Sequence, residues 1–371
     1  MGAYLDILLY NVVAFLGVLT VIVAVHEAGH FFVARWCRVR VLTFSIGFGP
    51  ELFGWTGREG TRYKVSLLPL GGYVRMAGGL MPGTEEAAEQ GAFPAAPVWR
   101  RALIILAGPF ANFLFAFIVL FGMVLAFGSS TRPAEIAAFS DGSAAAETAL
   151  LEGDIITAVN GRATETFNDV ARIMALHTGG PVTVEATRDG LSAPLTVTIN
   201  PTETTIESAS GPVRVFRLGI IATDTVETRT YGPVGAAGQA LASQAQITSL
   251  VFQGMGQVIT GRRPVSELEG PVGMSKHVAE ATRSSVWQIL QLMIFLNMII
   301  GLMNLLPVPV LDGGHLVFLA FEAIFRRPLP ARVMEVALLI GLGLILTQFV
   351  FVTFQDLVPN RTAIPGWLPR F

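Results

Sequence analysis

A short run of residues, His26-Glu27-Ala28-Gly29-His30, carries the side-chain types of a hydrolytic metal site. Residues four apart lie on one face of a helix, so the imidazoles of His26 and His30 can bind one ion. Zinc, as Zn²⁺, lowers the pKa of a water molecule that it binds to about 7. Glu27 can accept that proton and pass it to a departing amine. The run therefore predicts zinc-assisted hydrolysis with Glu27 as the general base.

A third metal ligand is needed, because a catalytic zinc has three protein ligands and one open position. Asp312 is the candidate, since it is the only carboxylate between Glu280 and Glu322. Pro307 and Pro309 are expected to break the preceding helix, and irregular backbone at membrane depth is tolerated where it lines a cavity. The alternative role for Asp312 is the N-cap of a helix.

The composition indicates that membrane helices carry these residues. Of the 371 residues, 52% are hydrophobic and 14% are charged, whereas soluble chains carry about 25% charge. An ionisable side chain inside a membrane helix costs roughly 2.5–3.5 kcal/mol, so Glu27 needs a compensating role such as catalysis at a metal. A span takes about 20 apolar residues. Four segments are long enough, namely residues 4–35, 102–127, 286–306 and 333–354.

Loop charges predict the orientation of these helices. Nine Arg and Lys residues lie between or beside the first two segments, three Arg residues lie between the last two, and none precedes the first segment. By the positive-inside rule, both loops are cytoplasmic, while both termini and residues 128–285 are extracytoplasmic. His26, His30 and Asp312 then share one depth, towards the cytoplasmic side. The net charge of −2 and the lack of a basic run give no indication of nucleic-acid binding.

Residues 134–224 have the pattern of a small soluble domain. Alternating apolar residues predict strands over residues 155–159, 182–188 and 195–199, with turns at Asn160-Gly161 and Asp189-Gly190. Two short helices are predicted over residues 144–151 and 167–175. Residues 232–259 form an uncharged stretch with helical spacing. That stretch is either an amphipathic helix at the outer membrane surface or a helix packed beside the soluble domain.

The loop after the first segment contains residues 63–76, which resemble two short strands broken at Pro69 and at Gly71-Gly72. A helical peptide bond is protected, so a membrane substrate must unwind before it can be cut. A strand edge can hold the unwound segment. We predict that Gly71, Gly72 and Tyr73 contact substrate. The alternative is that this hairpin only caps the helix bundle.

The two metal motifs together resemble those of the site-2 protease family. The match consists of His26-Glu27-x-x-His30 in the first helix and Asn304-x-x-Pro307-x-Pro309-x-Leu311-Asp312-Gly313 after the third. Residues 108–112, Gly-Pro-Phe-Ala-Asn, resemble the family's Gly-x-x-x-Asn element. The nearest branch is the bacterial regulator of sigma-E protease.

The resemblance implies a zinc metalloendopeptidase of the bacterial inner membrane. His26, His30 and Asp312 would bind Zn²⁺, and Glu27 would be the catalytic carboxylate. Asn304 would position the substrate or stabilise the oxyanion, the alternative being a helix-packing hydrogen bond. Substrates of the family are transmembrane segments of proteins already clipped on the outside, such as anti-sigma factors and remnant signal peptides. Its loops after the first helix are membrane-associated β-hairpins.

Residues 151–161, Leu-Glu-Gly-Asp-Ile-Ile-Thr-Ala-Val-Asn-Gly, resemble the PDZ signature of bacterial proteases. The chain has room for one such domain, which would exclude substrates that still carry a large outer domain. Its ligand would be a peptide or protein, unless the domain acts only by its bulk. The expected fold is therefore a polytopic α-helical membrane protein with four transmembrane helices, a cytoplasmic membrane-associated β-hairpin region and one inserted extracytoplasmic PDZ (α+β) domain. The domain boundaries are 1–127, 130–225, 226–285 and 286–371.

Two other functions fit parts of this pattern. A metal transporter would use the same intramembrane ligands, but the second and fourth segments offer almost no polar path. An inactive scaffold would bind partners through the PDZ domain. The presence of Glu27 argues against the scaffold, because binding a metal does not require it.

Overall fold

A computed structural model describes residues 2–79, 90–191, 193–208, 211–262 and 270–357. The helices are α1 (Gly2–Trp36), α2 (Val98–Phe127), α3 (Phe167–Ala175), α4 (Pro233–Ile259), α5 (Pro271–Ser284), α6 (Val286–Asn304), α7 (Asp312–Phe325) and α8 (Ala331–Leu357). The strands are β1 (Val41–Thr56), β2 (Arg62–Met76), β3 (Ser129–Thr131), β4 (Ile136–Phe139), β5 (Ile155–Val159), β6 (Arg162–Ala163), β7 (Val182–Thr187), β8 (Leu195–Ile199), β9 (Thr202–Ser208), β10 (Gly211–Arg217), β11 (Ile220–Ala222) and β12 (Glu227–Arg229).

Four helices of the described chain are long and apolar enough to cross a membrane: Tyr10–Trp36, Val98–Phe127, Val286–Asn304 and Ala331–Leu357. Each corresponds to one of the four segments predicted from the sequence. Helix α2 begins about one turn earlier than expected, so that it includes Arg101, which pairs with Glu322 of α7. The protein is therefore a membrane protein with several apolar helices.

The chain divides into two compact units, one made of Met1–Leu120 with Glu269–Phe371 and the other of Phe121–Leu268. The first unit holds α1, β1, β2, most of α2, and α5 to α8. Within it, α5 packs on α1, where the Tyr10 hydroxyl donates to the Thr282 hydroxyl at 3.0 Å. The expected boundaries at residues 130, 225 and 285 stay predictions, and part of the last predicted domain lies beyond the described residues.

Strands β1 and β2 form a small sheet in which each strand is used twice. Thr43 pairs with both Arg62 and Arg75, and Ile46 pairs with both Val65 and Gly72. The first half of β1 therefore lies between the two halves of β2. The spatial order is residues 72–76, 41–46, 62–66 and 51–56.

The hairpin predicted within residues 63–76 was wrong in its pairing. The pairing does shift between Leu68 and Gly72, but the two halves of β2 are separated by β1 and do not pair with each other. Gly47 adopts φ +87° where its backbone approaches the Leu68 carbonyl, and Gly71 adopts φ +148°. These glycines allow the turns in both strands. Residues 72–76 consequently form one edge of the sheet.

The second unit contains the strands and the short helix predicted for the soluble domain. Strands β6, β5, β7 and β8 form a four-stranded antiparallel sheet in that order. The turns at Asn160-Gly161 and Gly190 have positive φ, as the sequence indicated. Helix α3 has a capping box between Thr166 and Asp169. Its core joins residues from the sheet, from α3 and from β4.

The helix predicted over residues 144–151 was wrong. This segment forms consecutive turns, with three-residue hydrogen bonds such as that from the Thr148 amide to the Ala145 carbonyl, 3.1 Å. The Ser143 hydroxyl accepts from the Ala146 amide, and the Thr148 hydroxyl donates to the Ala145 carbonyl at 2.6 Å. These side chains compete with helical backbone bonds.

Residues 233–259 form the helix that the uncharged stretch predicted. Ala236 and Ala240 are buried, and the Gln257 amide donates to the Leu176 carbonyl at 2.5 Å. The opposite side exposes apolar residues, including Leu241 and Phe252. One side of α4 is thus packed within the second unit, which leaves the membrane-surface role of the other side a prediction.

Candidate metal centre

Three side chains converge between α1 and the start of α7. The Nε2 atoms of His26 and His30 lie 3.1 Å apart. The Asp312 Oδ2 atom lies 3.1 Å from His26 Nε2 and 3.4 Å from His30 Nε2. Both histidines are at most 9% exposed. The structure therefore brings together the three ligands predicted from two distant parts of the sequence.

The spacing of these atoms fits a zinc ion. Ligands about 2.0–2.2 Å from a tetrahedral centre are about 3.3–3.6 Å apart, and the three observed separations are close to that range. Two imidazole nitrogens and one carboxylate oxygen form a donor set that zinc accepts in catalytic sites. His26, His30 and Asp312 are also the one group of His, Cys, Asp or Glu side chains with metal-site geometry in the described chain.

Two glycines let α1 and α2 approach closely enough to form the site. A Cβ atom added to Gly29 would lie 2.1 Å from the Ala107 carbonyl oxygen. A Cβ added to Gly108 would lie 2.3 Å from His30 Nε2 and 2.7 Å from His26 Nε2. The space at Gly108 is thus occupied by the imidazoles of the two predicted metal ligands, although the sequence motif alone indicated no role for this residue.

The segment before α7 positions Asp312. Helix α6 ends at Asn304, and residues 305–311 form turns that include Pro307 and Pro309, as predicted. The N-cap of α7 is Leu311, so Asp312 occupies the first helical turn and not the cap. Gly313 and Gly314 allow the backbone of the preceding segment to come close to α7, and neither adopts a positive φ. Added Cβ atoms would lie 2.2 Å from the Leu306 carbonyl oxygen and 2.3 Å from the Val308 carbonyl oxygen, respectively.

Each histidine has a partner at its second ring nitrogen. His30 Nδ1 lies 2.7 Å from the Ile104 carbonyl oxygen, which fixes it as a donor. His26 Nδ1 lies 3.3 Å from the side-chain amide of Asn112, which is fully buried in α2. Asn112 is the last residue of the Gly-x-x-x-Asn element, but the sequence did not predict that it acts at the site. A buried amide in a helix without nearby charges was the signal that could have revealed it.

Glu27 lies next to the predicted metal ligands and beside the 72–76 edge of the β1–β2 sheet. Its carboxylate is close enough to interact with the Val74 backbone. A Cβ added to Gly72 would lie 3.4 Å from Glu27 Cγ and 3.5 Å from a Val23 methyl carbon. Residues 72–76 therefore extend along α1 at the position of the predicted general base.

The other predicted substrate contacts are placed differently. The Tyr73 ring stacks on Phe48, with centroids 6.0 Å apart, and an added Cβ at Gly71 would lie 2.9 Å from the same Phe48 ring. The Asn304 amide donates to the Ile300 carbonyl at 3.0 Å, which is a bond within its own helix. The structure thus brings Gly72 to Glu27, while the substrate contacts of all four residues stay predictions.

A buried ion pair connects α2 to α7. Arg101 donates to both carboxylate oxygens of Glu322, at 3.0 and 2.5 Å, and its Nε donates to the Ala96 carbonyl at 2.9 Å. Both side chains are less than a fifth exposed. Because α7 begins with Asp312, this pair braces the helix that carries the third ligand against the helix that contacts the two histidines.

Comparisons with known proteins agree with this site. The sequence profile of peptidase family M50 matches residues 14–348. Two curated relatives share the name Putative zinc metalloprotease. Atu1380 of Agrobacterium fabrum is 38% identical over 366 residues, 93% of this chain and 95% of the relative. R01501 of Rhizobium meliloti is 34% identical over 375 residues, 96% of this chain and 99% of the relative.

A third relative, Metalloprotease MmpA of Caulobacter vibrioides, is 32% identical over an alignment of 381 positions, which covers 94% of this chain and 96% of the relative. The names of all three relatives describe proteases, and none describes a transporter or a scaffold. The family profile covers both of the sequence stretches that carry the predicted ligands. The chain therefore belongs to peptidase family M50, the site-2 protease family, and is a membrane zinc metalloprotease.

Proposed function

We propose that this protease cuts transmembrane segments of single-pass membrane proteins that have already been clipped on the outside, such as anti-sigma factors or remnant signal peptides. His26, His30 and Asp312 hold the zinc, and Glu27 is the catalytic carboxylate. The observation that carries the proposal is the convergence of these ligands between helices apolar enough to span a membrane. A protease centre among such helices acts on peptide bonds that lie within the bilayer.

Glu27 provides the proton transfers of the reaction. Zinc bound at the site supplies Lewis-acid polarisation and acidifies water. Glu27 accepts the proton of the attacking water and delivers it to the departing amine, so one carboxylate acts first as base and then as acid. The Val74 backbone, which is close to Glu27, would hold the carboxylate in place for both steps.

The sheet edge at residues 72–76 provides a place for the unwound substrate. In the described chain these residues pair only with β1, on the side opposite to the edge. A substrate added to this edge as a strand would gain backbone hydrogen bonds and would run past Glu27. Tyr73 and Gly71 would shape the same surface through their contacts with Phe48. Asn304 would exchange its bond to Ile300 for one to the substrate.

The second unit acts as a filter built on one PDZ domain. Its α3 and β11 border an apolar cavity of about 410 Å³, lined by residues that include Val170, Met174 and Ile220. A cavity between a helix and a short strand suits an apolar peptide end. A ligand there would come from a substrate or a partner protein. The alternative is exclusion of large outer domains by bulk alone.

The cellular arrangement follows from the loop charges. The chain lies in the bacterial inner membrane with both termini and the PDZ domain extracytoplasmic and the metal centre towards the cytoplasmic side. Among family branches, the regulator of sigma-E protease is the one that this arrangement resembles most. The lipid bilayer is its permanent partner, and a membrane-embedded substrate segment is its transient one.

Cleavage of tagged single-pass proteins tests the proposed function. Candidate substrates lacking their outer domains are co-expressed with the wild-type protease or with Glu27→Gln. We expect Glu27→Gln to retain zinc and folding and to lose cleavage. The same substrates with an intact outer domain should resist the wild-type protease. Equal cleavage by Glu27→Gln would contradict the role of Glu27, and cleavage only outside the apolar segment would contradict intramembrane proteolysis.

A further inference from the structure

Two helices contribute a buried asparagine each beside the predicted metal ligands. Asn112 of α2 and Asn297 of α6 are both fully buried. A Cβ added to Gly301 would lie 3.3 Å from Asn112 Cβ, so α6 contacts α2 at Asn112. Asn297 precedes Gly301 by four residues and lies on the same helix face, about one turn or about 6 Å away along the axis. Asn297 is thus one turn away from the level of Asn112 and His26.

Each of these asparagines has an unsatisfied oxygen. Asn112 Oδ1 and Asn297 Oδ1 are buried and have no hydrogen-bond partner. Their nitrogens are engaged, since Asn297 Nδ2 donates to the Met293 carbonyl at 2.8 Å and Asn112 Nδ2 lies 3.3 Å from His26 Nδ1. An unsatisfied buried polar group costs about 1–3 kcal/mol, so two such groups on helices in contact call for an explanation.

The position of the ring proton on His26 shows which atom of the Asn112 amide should face it. Its Nε2 atom faces Asp312 and His30 and is therefore the metal-binding nitrogen. The proton of the neutral ring must then reside on Nδ1, which makes Nδ1 a donor. A donor facing the NH₂ group of Asn112 is unfavourable. The oxygen and nitrogen of an amide are interchanged by a half-turn of its terminal group, and the hydrogen bonds decide between the two orientations.

We propose that Asn112 and Asn297 form a hydrogen-bond relay that holds His26 in its metal-binding tautomer. His26 Nδ1–H donates to Asn112 Oδ1, Asn112 Nδ2–H donates to Asn297 Oδ1 directly or through one buried water, and Asn297 Nδ2–H donates to the Met293 carbonyl. This arrangement satisfies both buried oxygens and gives His26 an acceptor equivalent to the Ile104 carbonyl of His30. The relay rests on the proposed role of His26 as a ligand.

Asn112 and Asn297 are positioning residues, because they act on the zinc through His26. Loss of a hydrogen-bond partner behind a metal ligand typically costs 10–100-fold in metal affinity or activity. Asn112→Leu should therefore lower zinc affinity about 10–100-fold. Asn297→Leu removes only the second hydrogen bond of the relay. Its zinc affinity should therefore fall by about two- to tenfold. Both effects should appear in kcat and in zinc affinity, with KM unchanged.

The test measures zinc affinity of the full chain in nanodiscs by competition with a chelator. Asn112→Asp keeps an acceptor for His26 and should bind zinc within about twofold of wild type, unlike Asn112→Leu. Thr353→Val is the matched control, because Thr353 Oγ1 in α8 is also buried without a partner but is not one of the metal-site residues. It should leave zinc affinity unchanged. Unaltered zinc affinity in Asn112→Leu would overturn the relay.

Two further measurements keep the outcomes distinct. His26→Ala must lose zinc if the site itself is correct; if it binds zinc normally, the proposed function fails as well as the relay. If it loses zinc while Asn112→Leu does not, the relay alone fails. ¹⁵N-histidine NMR of the zinc-loaded wild-type chain needs no asparagine variant to fold. It should show His26 protonated at Nδ1 and metal-bound at Nε2, and the opposite assignment would overturn the relay.

Discussion

Substitution of Gly108 by Ala should disable the metal centre by placing a Cβ atom against the two imidazoles. The added Cβ would lie 2.3 Å from His30 Nε2 and 2.7 Å from His26 Nε2, whereas real Cβ contacts essentially never fall below 3.0 Å. His30 must therefore move by at least 3.0 − 2.3 = 0.7 Å. A misplacement of about 1 Å in a catalytic site can cost 100-fold in rate. We expect a loss of kcat of about that size together with weaker zinc binding.

Gly122→Ala provides the control within the same helix. Gly122 also lies in α2, and an added Cβ there meets no atom within 4 Å. Ala is favoured over Gly in a helix by about 1 kcal/mol, so Gly122→Ala should keep or gain helix stability. At Gly108 the following Pro109 disfavours helical backbone for a residue with a Cβ, which offsets that gain. Cleavage of a tagged substrate and the zinc content of the purified chains are measured for each. The reasoning would be refuted if Gly108→Ala cleaved and bound zinc like Gly122→Ala.

Three further predictions concern other parts of the chain. Arg101→Met should destabilise the chain by about 3–5 kcal/mol in thermal unfolding by leaving Glu322 unpaired, and adding Glu322→Met should recover most of that loss. Arg188 hydrogen-bonds Asp154 and holds the pKa of that carboxyl below its usual 3.8. This pair should therefore stabilise the fold above pH 3.8 and lose that effect as the pH falls through the lowered pKa. Asp154→Asn should flatten the pH dependence of resistance to proteolysis. Gly72→Val should lower kcat and leave zinc content unchanged, because the added Cβ would lie 2.7 Å from the Ser45 carbonyl oxygen and would force the sheet edge beside Glu27 to shift.

The sequence predicted those elements whose causes are local or chemical. Four apolar segments of sufficient length became α1, α2, α6 and α8. The His26 and His30 spacing and the isolated carboxylate of Asp312 predicted three side chains that the structure brings together. Strands β5, β7 and β8 followed from alternating residues and from turns such as Asn160-Gly161. In each case the prediction came from the length, spacing or alternation of residues within short stretches of sequence.

The features that sequence reasoning missed depend on distant contacts. Pairing of β1 with both halves of β2 is set by where Gly47 and Gly71 allow turns, which residue alternation alone does not reveal. The turns at residues 144–151 depend on Ser143 and Thr148 hydrogen bonds that compete with a helix. Asn112 gained its role only when α2 was placed against α1.

X-ray absorption at the zinc edge of the loaded chain would report the metal's ligands themselves. We expect a shell of two imidazole nitrogens at about 2.0–2.1 Å and one carboxylate oxygen at about 2.0–2.2 Å, with the remaining position open to solvent. Asp312→Ala should remove the carboxylate oxygen and leave both imidazoles. A sulfur ligand, fewer than two imidazoles, or a spectrum unchanged by Asp312→Ala would contradict a metal centre assembled from α1 and α7.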